Sequence, residues 1–204
     1  MNIDNGLRAV GAVVALLALI PAPARAAEAF GGLYKHDVTF LGEFVGLGAA
    51  GRENGVDLHL GLRSGRLDSL RRLGRPHAHV MVSINSNNTS NYIATGLDWA
   101  IPLGKAVYLR PGFGLAYTDG AAGLPPVNAP GISPAEIQRR LVLYNTRIDF
   151  GSKVLFKPEL ALGFRLNDRW AAELSYVHLS NGQIFHTGKN QGLDQAGARL
   201  VYSF

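Results

Sequence analysis

Near its carboxy terminus the chain carries a histidine, a serine and an acid at spacings that suit hydrolytic chemistry. His178 and Ser180 stand two apart and are followed by Asn181 and Gly182; Asn190 and Asp194 come next, before the chain ends at Phe204. On a strand, residues two apart project from one face with alpha carbons about 6.7 Å apart, close enough for an imidazole to meet a hydroxyl. A neighbouring antiparallel strand can bring the Asp194 carboxylate to the other ring nitrogen. His178 would then take the proton of Ser180, while Asp194 would fix the tautomer and stabilise the imidazolium. Asn181, Gly182 and Asn190 are the candidate oxyanion donors, through backbone or side-chain amides. The same residue types also suit a polar band at lipid headgroup depth, and spacing alone does not choose between these readings. His186 sits in the intervening loop with no fixed relation to Ser180, so His178 is the preferred base.

In strand register these residues share a face with Trp170, Leu174, Tyr176, Leu200, Tyr202 and Phe204. The chemistry therefore sits on an oily surface, and the elements that carry it must explain why. The first 26 residues read as a secretory signal peptide: an apolar run from Ala9 to Ala24 ends at Ala24-Arg25-Ala26, a small-x-small cleavage pattern. Residues 27–204 are then expected to form one domain. The chain has no cysteine and a formal charge of +5, which excludes a disulfide framework and a thiolate metal site. Export makes nucleic acid an improbable partner and an anionic lipid surface the better one.

No apolar run in this region approaches the twenty or so residues that a membrane helix needs. Period two recurs instead. Val56, Leu58, Leu60 and Leu62 alternate with Asp57, His59, Gly61 and Arg63. Similar alternation covers residues 78–85, 91–101, 107–117 and 153–165, and with a segment from Tyr34 to Phe44 and the two final strands this makes eight segments. Each is long enough to cross a bilayer as a tilted strand. The expected fold is all-β: an eight-stranded antiparallel transmembrane β-barrel, too narrow for a pore and filled by its own side chains. The expected inner set is Asp57, Arg63, Arg110, Lys153, Lys157, Glu159, Arg165, Glu173 and Arg199. A soluble sandwich or lipocalin-like barrel also alternates, but the closing Leu200, Tyr202 and Phe204 fit an aromatic girdle at a membrane interface.

Loop lengths set the direction. The longest link, from Thr118 to Phe150, should be extracellular, with a short helix near Ala135 to Leu143 after Ser133-Pro134. Asn87-Asn88-Thr89-Ser90 reads as a tight extracellular turn, whereas Leu103-Gly104-Lys105 and Asn167-Asp168 are short periplasmic turns. The link from Ser64 to Arg75, with Arg66, Arg71, Arg72 and Arg75, is long for the periplasmic side. His77 and His79 face the lumen in this register and read as interior histidines rather than metal ligands. Arg139, Arg140 and Arg147 in the long loop are candidates for contact with lipid phosphates or for simple solvation.

At His178-Leu-Ser180-Asn181, Asn190 and Asp194 the sequence resembles the lipid A 3-O-deacylases of the PagL type, with weaker similarity back through His36-Asp-Val-Thr-Phe-Leu-Gly and Arg75-Pro-His. The acidic member is often Glu in that family where this chain has Asp194, and the loop from Asn181 to Asn190 is longer. The resemblance implies an outer-membrane enzyme that removes the 3-O-linked hydroxyacyl chain of lipid A with His178, Ser180 and Asp194. It also implies no metal or other cofactor, and lipopolysaccharide of the outer leaflet as partner. A homodimer is compatible with it. The competing reading is a non-enzymatic small outer-membrane barrel, an adhesin or structural protein resembling OmpA, to which Ser180 would be dispensable.

Overall fold

The structure, a computed structural model, describes residues 26–40 and 51–204. Eight long strands close into an antiparallel barrel: β1 (Ala26–Lys35), β2 (Val56–Arg66), β3 (His77–Asn85), β4 (Tyr92–Asp98), β5 (Val107–Thr118), β6 (Val154–Arg165), β7 (Trp170–Leu179) and β8 (Leu193–Ser203). Each pairs with its sequence neighbours, and β8 closes on β1 with Phe30 opposite Val201. A two-residue ladder, Ile101–Pro102, extends the turn before β5.

Alternation places the aliphatic side chains outside and the polar ones inside. Leu58, Leu60, Ile84, Leu115, Leu160 and Leu174 are exposed, whereas Asp57, His59, Arg63, Arg110, Glu173 and Arg199 are buried. A soluble barrel would have the reverse arrangement, so this wall is built to face hydrocarbon. Trp170, Tyr202 and Phe204 pack in series at the short-turn end, tilted and then edge-to-face with centroids 4.9 and 5.5 Å apart, as an interfacial girdle.

The lumen is buried and charged, so each ion needs a partner within it. Every strand supplies a polar or charged member. Arg63 (β2) reaches Glu28 (β1) at 3.1 Å, Asp98 (β4) at 3.2 Å and Glu173 (β7) at 3.2 Å. Arg110 (β5) contacts Glu28, Asp98 and Glu173 at 3.2, 2.8 and 2.9 Å. Arg199 (β8) joins Glu173 at 2.6 Å to Glu159 (β6), which also holds Lys157, and His79 (β3) lies 3.1 Å from Asp98. Tyr108 donates to Glu173 at 2.8 Å. Two expected lumen residues lie elsewhere. Lys153 precedes β6 and donates to the Asp119 carbonyl at the outer rim, and Arg165 ends β6 at the inner rim, 5.0 Å from the Tyr108 ring. Both fall at strand ends, where alternation no longer forces a side chain inward.

The first strand also differs from expectation, running Ala26–Lys35 rather than Tyr34 to Phe44. Its Ala- and Gly-rich sequence hides the alternation, yet the smallness is required: a Cβ on Gly32 would sit 2.3 Å from the Ala198 carbonyl oxygen. The chain has left the barrel wall by His36, and the remainder of the anticipated strand, residues 41–44, lies outside the described residues. So does the anticipated signal segment, apart from Ala26, which opens β1.

Glu173 is the hub of the lumen network, so Glu173→Ala leaves three guanidiniums short of an acceptor. We expect a loss of about 3–5 kcal/mol, read as a lowered urea midpoint for loss of heat-modifiable migration; an unchanged midpoint would contradict the hub assignment.

Candidate active site

β7 and β8 pair in register with His178 directly opposite Asp194. The imidazole Nδ1–H donates to the Asp194 carboxylate at 2.6 Å, which leaves Nε2 for a second partner. Both side chains are on the outer face, 38% and 25% exposed. Ser180 lies two residues beyond His178, just past the end of β7, and its backbone is held to Phe156 by reciprocal hydrogen bonds of 3.2 and 2.7 Å. Strand pairing therefore brings the histidine and the acid together, and the bridge to Phe156 fixes the backbone of Ser180 two residues further along the chain.

Several residues not evident from sequence spacing hold this arrangement. Gly192 lies against the His178 ring: a Cβ there would come within 2.6 Å of Cε1. The Tyr176 hydroxyl donates to the Asp194 carboxylate, and the Val38 N–H donates to the Asp194 carbonyl at 2.9 Å. Below Ser180, Phe156 stacks on Phe185 at 4.7 Å and tilts against Phe113 at 5.7 Å, an exposed aromatic wall on the lipid side.

The three expected oxyanion donors divide. The Asn181 side-chain amide is buried, with its two hydrogens committed to the Phe150 and Lys189 carbonyls at 2.6 and 2.7 Å. Its backbone N–H donates to Asn190 Oδ1 at 2.8 Å, so Asn181 is a loop fastener in this arrangement. That bond anchors Asn190 by its oxygen and leaves its NH2 group for another acceptor. Gly182 has φ +62, a left-handed backbone natural for glycine, and turns the chain directly after Asn181.

The outer loops are tied together beneath this edge. The long loop carries α1 (Pro134–Thr146), slightly longer than the expected Ala135 to Leu143, with Ser133 Oγ accepting from the Glu136 N–H at 3.2 Å. Asp149 accepts the N–H groups of Gly123, Leu124 and Gly151, and its backbone exchanges hydrogen bonds with Gln191. His36, fully buried, lies between Asp57 at 2.8 Å and Glu53 at 3.0 Å, and Glu53 in turn accepts the Ile148 N–H. Asp57 also takes Gln195, the neighbour of Asp194. Burial alone would depress His36, but the hydrogen bonds and charges of Asp57 and Glu53 outweigh it and lift the group to about 9.

Arg139 and Arg140 both pair with Glu136 at 2.8 Å, and Arg147 caps α1 through its N–H. Arg52 and Lys189 instead converge on the Tyr144 ring, 4.5 and 5.6 Å from its centroid. His77 donates to the Ser64 carbonyl at 2.8 Å, and His79 belongs to the lumen network.

A family model described as lipid A 3-O-deacylase (PagL) matches residues 56–203. Among solved structures, the crystal structure of the outer membrane enzyme PagL is similar at 11% identity, covering 87% of this chain and 100% of that one with a TM-score of 0.54. Neisserial surface protein A shows 12% identity over 87% and 96% of the two chains, with a TM-score of 0.49. The amino-terminal barrel domain of Pseudomonas aeruginosa OprF shows 8% identity over 88% and 98%, with a TM-score of 0.47. No curated protein sequence matches significantly. At such identity the likeness to the PagL structure shows a shared fold.

Gly192→Ala should displace the His178 ring without unfolding the barrel, seen as a shift of the His178 Hε1 resonance while heat-modifiable migration is retained. An unmoved resonance would count against close packing at this position. Because the folded pKa of His36 is raised, its contribution is complete below the unfolded value near 6.5 and is lost as pH rises through about 9. Hydrogen exchange at the Ile148 amide should accelerate between pH 8 and 10 beyond the intrinsic base-catalysed increase, and His36→Ala should show the fast rate at all pH values.

Proposed function

The chain belongs to the lipid A 3-O-deacylase (PagL) family, and we propose that it hydrolyses the ester joining a 3-hydroxyacyl chain to the glucosamine backbone of lipid A in the outer leaflet. The observation that carries this reading is the in-register His178 and Asp194 pair on the lipid-facing wall, with Ser180 two residues further along the chain. A soluble ester would have no reason to meet a nucleophile there. For a membrane lipid the geometry is apt: the acyl chain remains in hydrocarbon while the ester reaches Ser180 at headgroup height.

In this mechanism His178 Nε2 takes the Ser180 proton as Oγ attacks the acyl carbonyl, and Asp194 holds Nδ1–H and stabilises the imidazolium. The Asn190 NH2 group and the Gly182 N–H are the donors for the tetrahedral oxyanion, since Asn181 is engaged elsewhere. Collapse returns the proton from His178 to the departing sugar 3-hydroxyl. Water then attacks the acyl-serine by the same proton path and releases a 3-hydroxy fatty acid. The Phe113, Phe156 and Phe185 wall offers an apolar track for the chain being removed. Arg52 and Lys189, which have no carboxylate partner among the described contacts, suit a phosphate on the sugar. The chain acts from the outer membrane, reached by way of the signal segment in residues 1–26.

Expression in a Gram-negative host, followed by mass analysis of extracted lipid A, tests the proposal. The wild type should remove one hydroxyacyl mass, Ser180→Ala should reduce the rate at least about 10³-fold, and Asp194→Asn should reduce it on the order of 10²–10⁴-fold with the fold intact. Identical lipid A spectra for wild type, Ser180→Ala and an empty vector would favour the non-enzymatic barrel instead.

A further inference from the structure

The link between β2 and β3 closes the short-turn end of the barrel with more chain and more charge than such a turn needs. Residues 68–73 form two merged 3₁₀ turns, Asp68–Leu73, none of them buried. The two turns meet at a kink at Leu70, and Leu73 at their end is 58% exposed. The segment is nevertheless firmly held. Gly74 caps it in a left-handed conformation, the Leu67 N–H donates to the Pro76 carbonyl, and the Trp99 indole donates to the Leu73 carbonyl at 2.6 Å.

The cations of this link are disposed unequally. Arg66 donates to the Gly74 and Arg75 carbonyls, and Arg75 pairs with Asp68 at 3.1 Å. Arg71 and Arg72 are exposed, with no carboxylate partner among the described contacts. Around them the same rim carries Lys105, Arg165 and Arg169, together with exposed Ile101, Leu103, Leu166 and Trp170. Leucines and tryptophan level with unpaired guanidiniums have the composition of a surface that lies at a lipid interface, apolar groups in the acyl layer and cations at the phosphates.

We propose that this link is a binding site for the phosphate headgroups of anionic phospholipids in the periplasmic leaflet, with Arg71 and Arg72 as its ligating cations. A zwitterionic headgroup offers the same phosphate but brings its own ammonium, so an excess of positive charge at the rim favours lipids with net negative charge. The site is at the opposite end of the barrel from His178 and does not depend on what that residue does.

Trp99 reports on the site directly, because its indole donates to the Leu73 carbonyl at 2.6 Å and the chain has only one other tryptophan. In a Trp170→Phe background, the full-length barrel is reconstituted in phosphatidylcholine vesicles containing a minor share of brominated phosphatidylglycerol or of brominated phosphatidylcholine. Trp99 quenching should be about threefold or more stronger with the brominated anionic lipid. That preference should vanish in Arg71→Gln/Arg72→Gln, with heat-modifiable migration confirming a folded barrel, and should persist in Arg139→Gln/Lys189→Gln at the opposite end. Equal quenching by the two lipids in the unsubstituted site, a preference that survives the Arg71 and Arg72 changes, or one lost through the outer-end control would each overturn the proposal.

Discussion

Everything else in this protein depends on a charge network buried inside the barrel. Four cations, Arg63, Arg110, Lys157 and Arg199, meet four carboxylates, Glu28, Asp98, Glu159 and Glu173, inside the barrel, where burial makes an unpaired charge costly. Because each of the eight strands contributes a polar member, with His79 standing for β3, no strand can slip by one residue without turning a buried polar group into hydrocarbon. The network thus specifies register as well as closing the barrel.

A barrel built in this way displays its distinctive side chains only on its wall and at its two rims. The His178 and Asp194 pair is on the wall, where antiparallel register places the two residues opposite each other and backbone pairing maintains the distance. Loop contacts then finish what the strands begin. Asn181 and Asn190 lock the returning loop, Asp149 ties it to the long loop through Gln191, and His36 joins the first loop to β2 and, through Asp57 and Gln195, to the start of β8. The outer end is stabilised by many short-range polar contacts among segments far apart in the chain, and the lumen by a few strong ones.

Period-two alternation determined the architecture from sequence alone: the polar inner set, the lipid-facing aliphatics and the outward projection of His178 and Asp194 were legible because that pattern is local and survives any arrangement of neighbours. The same reasoning failed for β1, where small residues demanded by close packing against Arg199 erase the hydrophobic contrast, and for Lys153 and Arg165, which stand where strands end. Tertiary structure alone decided that His178 faces Asp194 across a ladder, that Gly192 leaves room for the ring, and that both amide hydrogens of Asn181 are committed to loop carbonyls. Those facts rest on register and on hydrogen bonds between residues remote in sequence, and no local pattern encodes a distance that only the closed barrel brings into being.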